Sequence, residues 1–312
     1  MQTSQDWVRI SPETLYQWMK TGRPFILIDT LTPDHFKKVH LPGAKNACVF
    51  EVTFEDQISA ITTDKQAEIV LYGASDSSME AVVAGEKLQR AGHAKLHILK
   101  GGIRAWLAAG YALEGPLADA PPAPENRLSL LNGSYRVDIN QSTLEWAGRN
   151  PNTKHDGNLR LSNGQIRIKD GRLTGTFEID MQAIENKSLT GDELQPVLVA
   201  HLKSDDFFFS KLFPTTLFSI REARPRTEAY LSAPNVDVKG ELTLRGVKAD
   251  LDFAATVVQS PDGIVTARAH FDLDRTRWNI IYGSTRFFEH LGMHLVFDYI
   301  SIDLKIIAEK VG

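Results

Sequence analysis

Cysteine is nearly absent from this 312-residue chain, where Cys48 stands alone. An intramolecular disulfide and a cysteine-based zinc site are therefore excluded. Long apolar runs are absent too. Charge-free stretches such as 195–200 fall far short of the ~18 apolar residues a membrane-spanning helix needs. The first residues, Met1 to Asp6, have neither a basic nor an apolar segment, so no signal peptide is predicted. With the lone cysteine, this makes a cytoplasmic location the expectation. An excess of one charge sign is also missing. The formal net charge is −4, and residues 1–124 carry 12 basic against 14 acidic side chains, so neither half offers a basic footprint for nucleic acid. The hydrolase elbow, the phosphate-binding loop, the dinucleotide fingerprint and the His-Glu-x-x-His helix are all missing, so no cofactor and no metal are expected.

What the chain has is ordinary globular composition, with 42% hydrophobic and 24% charged residues, which rules out whole-chain disorder. Four of its 14 prolines fall between Pro116 and Pro124. Proline fixes φ and removes a donor, so the segment reads as an extended linker. The predicted division is residues 1–115, a linker over 116–130, and residues 131–312.

The two sides differ in rhythm. Before the linker, short apolar runs (Phe25 to Ile28, Ile69 to Tyr72) alternate with helical patterns over 12–20, 79–91 and 103–109. That alternation predicts an α/β domain with a parallel sheet. After it, period 2 takes over, as in Phe177, Ile179 and Met181 or Ile300, Ile302, Leu304 and Ile306. About eight such strands, broken by turn dipeptides at Asn163-Gly164, Asp170-Gly171 and Asp262-Gly263, predict a mainly antiparallel β-barrel or sandwich. A helical insert is expected after Thr190, with Thr190 and Glu193 as a capping box.

In the first part, Ile10-Ser11-Pro12-Glu13, Leu27-Ile28-Asp29, His40-Leu41-Pro42-Gly43-Ala44 and Lys100-Gly101-Gly102 with Trp106 and Gly110-Tyr111 occur in order. Together these segments resemble the rhodanese (sulfurtransferase) family. The resemblance implies a catalytic cysteine directly after the strand ending at Tyr72. The loop there is Gly73-Ala74-Ser75-Asp76-Ser77-Ser78, with Gly73 at the nucleophile position. A glycine carries no sulfur, and Asp76 adds negative charge to a loop meant to cradle an anion. The domain is therefore expected to be inactive. Asp29 and His40 read as structural anchors, and Cys48 as a packed hydrophobe.

In the second part, Ser142-Thr143-Leu144-Glu145-Trp146-Ala147-Gly148, His155-Asp156-Gly157, His201 to Phe208, Gly240 to Val247, and Asp274 to Trp278 with Tyr282-Gly283-Ser284 and Phe287-Phe288 occur in order. This set resembles the YceI-like family of lipocalin-like, polyisoprenoid- or lipid-binding barrels. Alternation alone leaves open whether the interior is filled or hollow. The resemblance implies a hollow one, holding the tail of an isoprenoid or other long-chain amphiphile. The candidate ligand-binding residues are Trp146, His155, Phe177, Phe218, Phe253, Trp278, Ile280, Tyr282, Phe287 and Phe288, with Lys154 and Arg277 as further head-group candidates. The expectation is a non-catalytic carrier whose first domain serves as an interaction or regulatory module for a protein partner or a second copy. Two alternatives stay open: a sulfur-handling or redox enzyme using Cys48, and an adaptor with a filled barrel.

Overall fold

Continuous apolar runs become buried parallel strands in the first unit, Met1–Ala123. The structure, a computed structural model, describes residues 8–119 and 126–311. The strands are β1 (Val8–Ile10), β2 (Ile26–Asp29), β3 (Lys45–Asn46), β4 (Glu68–Tyr72) and β5 (Lys95–Leu99). They form a sheet in the order β1-β5-β4-β2-β3, with every pairing parallel. Successive side chains point to opposite faces. Ile28, Ile69, Leu71 and Ile98 therefore meet Phe54, Ile58 and Leu88 on one face. Leu27, Val70, Tyr72 and Leu99 meet Leu15, Ile103 and Trp106 on the other.

Helices α1 (Pro12–Thr21), α4 (Glu80–Arg90) and α5 (Gly102–Ala108) coincide within a residue or so with the predicted ones, while α2 (Pro33–Lys38) and α3 (Phe54–Ile61) were not foreseen. Local chemistry sets the ends of α1. The Ser11 side chain accepts from Thr14 N–H, Pro12 opens the first turn, and Gly22 closes it at φ 68°.

The second unit, Pro124–Gly312, is built on an antiparallel barrel. Its strands are β6 (Gly133–Val137), β7 (Thr143–Arg149), β8 (Lys154–Lys169), β9 (Arg172–Asp180), β10 (Thr215–Pro225), β11 (Val236–Leu244), β12 (Val247–Gln259), β13 (Val265–Asp274) and β14 (Tyr299–Lys310). Strands β6 and β7 lie end to end between β14 and β8, and β13 pairs with β14, so the sheet closes into an eight-position antiparallel barrel. Closure leaves no free edge.

Two local expectations need correcting. Asn163-Gly164 is not a hairpin turn but lies inside β8, beside a register shift. A Cβ on Gly164 would stand 2.6 Å from Val137 Cγ2, so the glycine serves a close approach across the wall. The true hairpin is Asp170-Gly171, both at positive φ. The insert helix α6 (Leu194–Lys203) starts without a capping box; Asp192 Oδ1 accepts from Leu194 N–H at 2.8 Å, while Thr190 bonds back to Lys187 O.

The core of the predicted linker, residues 120–125, lies outside the described residues. Its flanks are paired. Leu117 N–H donates to Lys38 O, and Leu128 N–H to Ala229 O, each at 2.9 Å. Among the described residues, no helix is long and apolar enough to cross a membrane.

Candidate ligand cavity and the loop after β4

The barrel interior is hollow. A cavity of about 380 Å³ runs through it, walled by inward residues of every strand except β6. That volume sits at the lower end of the range for small-ligand sites. One end is shut by Ala223, Val236, Val257 and Val265, all fully buried. The other end carries the polar lining groups, because the strand ends at Arg149, His155, Thr216 and Arg275 all lie there.

Of the predicted ligand-binding residues, Trp146, His155, Phe177, Phe218, Phe253 and Tyr282 line the cavity. Phe218 bridges Phe177 and Phe253, with centroids 6.3 and 5.7 Å away, and Phe253 stacks on Phe271 at 4.5 Å. Trp146 fixes its ring by donating Nε1–H to Glu185 O. The remaining candidates do not reach the cavity. Trp278 and Ile280 are buried in the packed wall, where Trp278 Nε1–H donates to Leu242 O at 2.8 Å. Phe287 and Phe288 are exposed on the loop before β14. Lys154 pairs with Asp156, and Arg277 donates to Asp250 O.

The predicted ligand-binding set left out α6 and the turn after it, where Phe207 to Phe209 read as a lid or as an anchor for the insert. Leu198, His201, Leu202, Phe207 and Phe208 all line the cavity. The His201 ring meets Phe207 and Tyr282 edge-on, each at 4.9 Å, and its Nε2 lies 3.1 Å from Asp206 Oδ2. Phe207 is thus both an anchor for the insert and a piece of cavity wall. The family-like His201–Phe208 block was the available signal, but which of its faces turned inward was not.

In the first unit, the loop after β4 has closed on itself. Ser75 N–H donates to Ser78 Oγ, which donates back to Ser75 O. Asp76 Oδ1 accepts from Gly101 N–H at 2.7 Å, so an internal carboxylate already uses that backbone donor. A Cβ on Gly73 would stand 2.6 Å from Glu80 Oε2, which is itself buried without a hydrogen-bond partner. Gly102 allows α5 to come up against this loop, since any Cβ there would strike Gly73 O. Cys48 is buried, and its N–H donates to Gln57. His40 Nδ1–H donates to Phe36 O, and its ring stacks on Phe36.

Asp29 is fully buried at the end of β2. Its Oδ1 accepts from Leu31 N–H at 2.8 Å. Burial pushes its carboxyl up to about 6, against smaller opposing hydrogen bonds from Tyr72 and Leu31. A raised carboxyl pKa means the folded state holds the proton more tightly than the unfolded chain does. The associated stability is complete below about pH 4 and is lost as the pH rises through about 6. Asp29→Asn is therefore expected to stabilise this unit by about 2–3 kcal/mol at pH 8 and to change little near pH 4. Urea midpoints of parent and variant at the two pH values check this, and an equal difference at both would contradict it.

A family model described as YceI-like domain matches residues 135–308, and one described as Rhodanese-like domain matches residues 11–109. Solved structures similar to the barrel include BcnA of Burkholderia cenocepacia, 18% identical, with 55% of this chain covering 99% of that one at a TM-score of 0.44. Another is a polyisoprenoid binding domain from Saccharophagus degradans implicated in plant cell wall breakdown, 14% identical, with coverage of 57% and 98% and a TM-score of 0.42. The rhodanese-like domain of an Anabaena protein is 25% identical, with coverage of 39% and 90% and a TM-score of 0.32. No curated protein matches the chain. Matched over more than half its length by the model for that barrel, the chain belongs to the YceI-like family, and it carries a rhodanese-like domain ahead of the barrel.

Proposed function

We propose that this protein is a non-catalytic carrier that keeps the tail of an isoprenoid or other long-chain amphiphile inside its barrel. The carrying observation is the 380 Å³ cavity, apolar along its length and polar at one end only. Each buried methylene contributes roughly 0.8 kcal/mol, so an extended tail binds without any specific contact. The resemblance to lipid-binding barrels supports the same reading. Organic extraction of the purified full-length protein, followed by mass spectrometry, tests it. A retained amphiphile is the expected result. An extract free of amphiphile, from a protein that also takes up no apolar dye, would overturn it.

The rhodanese-like domain is an interaction or regulatory module in this reading. Gly73 and the two carboxylates around it, Asp76 and Glu80, support that role. No thiosulfate:cyanide sulfur transfer is expected, with Cys48→Ser making no difference. Gly73→Cys is also expected to stay inactive. Its side chain would meet Glu80, and nearby carboxylates disfavour a thiolate. Turnover that vanishes with Cys48→Ser would revive the enzyme reading.

A further inference from the structure

The polar groups at the cavity mouth are nearly all engaged within the protein. Arg275 gives its donors to four backbone carbonyls, those of Phe297, Ile280, Tyr282 and Val296. Arg149 Nη1–H donates to Ser301 Oγ at 2.7 Å, on the side of β14 opposite the inward Ile300 and Ile302. His201 pairs with Asp206, Tyr282 OH with His294, and His155 with Ser188. Thr216 differs. It is 3% exposed, it lines the cavity, and its hydroxyl has no hydrogen-bond partner.

A buried hydroxyl left unpaired is costly, and it can both donate and accept. Thr216 lies opposite Ile179 on β9, at the mouth end of β10, where a head group following its tail into the barrel would come to rest. A charged head there would find Arg275 spent on carbonyls and Arg149 directing its Nη1 to Ser301 Oγ on the far side of β14, and burying an unpaired charge is far costlier than burying a neutral oxygen.

Resting on the carrier reading, we propose that Thr216 Oγ1 receives the oxygen of an uncharged head group, an alcohol or carbonyl, and that the barrel selects such lipids over anionic ones. The hydroxyl supplies the hydrogen bond, and the engagement of Arg275 and Arg149 elsewhere supplies the selection.

The test uses extracted full-length protein and displacement of a bound apolar dye by tetradecanol, tetradecane and tetradecyl phosphate. Thr216→Val keeps the side-chain shape and removes the hydroxyl. It is expected to weaken tetradecanol about five- to tenfold and to leave tetradecane unchanged. Thr216→Ser is expected to keep the parent affinity for tetradecanol. Tetradecyl phosphate is expected to bind more weakly than tetradecanol to the parent protein. Tetradecanol affinity unmoved by Thr216→Val, or phosphate binding tighter than alcohol, would overturn the head-group assignment while leaving the carrier reading intact. Failure of both tetradecane and tetradecanol to displace the dye would overturn the two together.

Discussion

Arg275→Met is expected to destabilise the barrel by about 3–5 kcal/mol, read as a fall in the urea midpoint. Arg275 is 1% exposed and sits in a short 3-10 turn, Arg275–Trp278, between β13 and the irregular stretch that leads to β14. That stretch has no strand partner, yet its carbonyls need hydrogen bonds. The guanidinium provides them, to Ile280 O at 2.5 Å, Tyr282 O at 2.7 Å, Val296 O at 3.0 Å and Phe297 O at 3.1 Å. Asp298, 3.8 Å away, balances the charge, and Phe207 lies beside the guanidinium plane. Burial lowers the Arg275 pKa, and Asp298 and Asp274 oppose that shift. Methionine would fill similar space but leave the four carbonyls unpaired, while Asp298 would keep its bridge to Arg286 at 2.9 Å. Lysine restores charge without the planar fork, so Arg275→Lys is expected to recover only part of the loss. A midpoint change worth less than about 1 kcal/mol for Arg275→Met would mean the stretch is held by something else.

The same stretch shows where the sequence stops being readable. Along true strands, period 2 placed Trp146, Phe177, Phe218 and Phe253 on the cavity side, because in a closed barrel every inward position faces the same interior. The rule fails once the chain leaves the sheet. Trp278 and Ile280 follow a 3-10 turn, and Phe287 and Phe288 lie on a loop, so alternation carries no information about their direction. The α6 residues that line the cavity were illegible for another reason. Leu198, His201 and Leu202 share a helix face that the pattern reveals, but what that face packs on is a tertiary fact. Arg275 belongs to the family-like Asp274–Trp278 block, but the carbonyls placed around it come from the irregular stretch before β14 and carry no sequence pattern. In the first unit, Gly73 was visible in the sequence, whereas the Glu80 carboxylate lying where its side chain would stand was not.

Ala255→Phe is expected to cut the uptake of long-tailed amphiphiles by about a hundredfold while leaving the urea midpoint nearly unchanged. Ala255 pairs with Val236 near the shut end of the barrel and lines the cavity. A phenyl ring there occupies room for roughly four methylenes, which at ~0.8 kcal/mol each removes about 3 kcal/mol from a tail long enough to reach it. Short tails never reach the shut end, so their affinity should hold. Stability should hold as well, because the ring enters open space and buries its own apolar surface. Ala269 is the matching control. It lies on β13 between the inward Ala267 and Phe271, is 7% exposed, and is not part of the cavity wall. Ala269→Phe, at a buried position outside the cavity lining, is expected to cost about 1–3 kcal/mol by overpacking. The contrast between two alanines of similar burial separates a binding cavity from a loosely packed core. If Ala255→Phe lowers the midpoint as much as Ala269→Phe does and leaves uptake of long tails unchanged, the hollow of the barrel is not where the ligand sits.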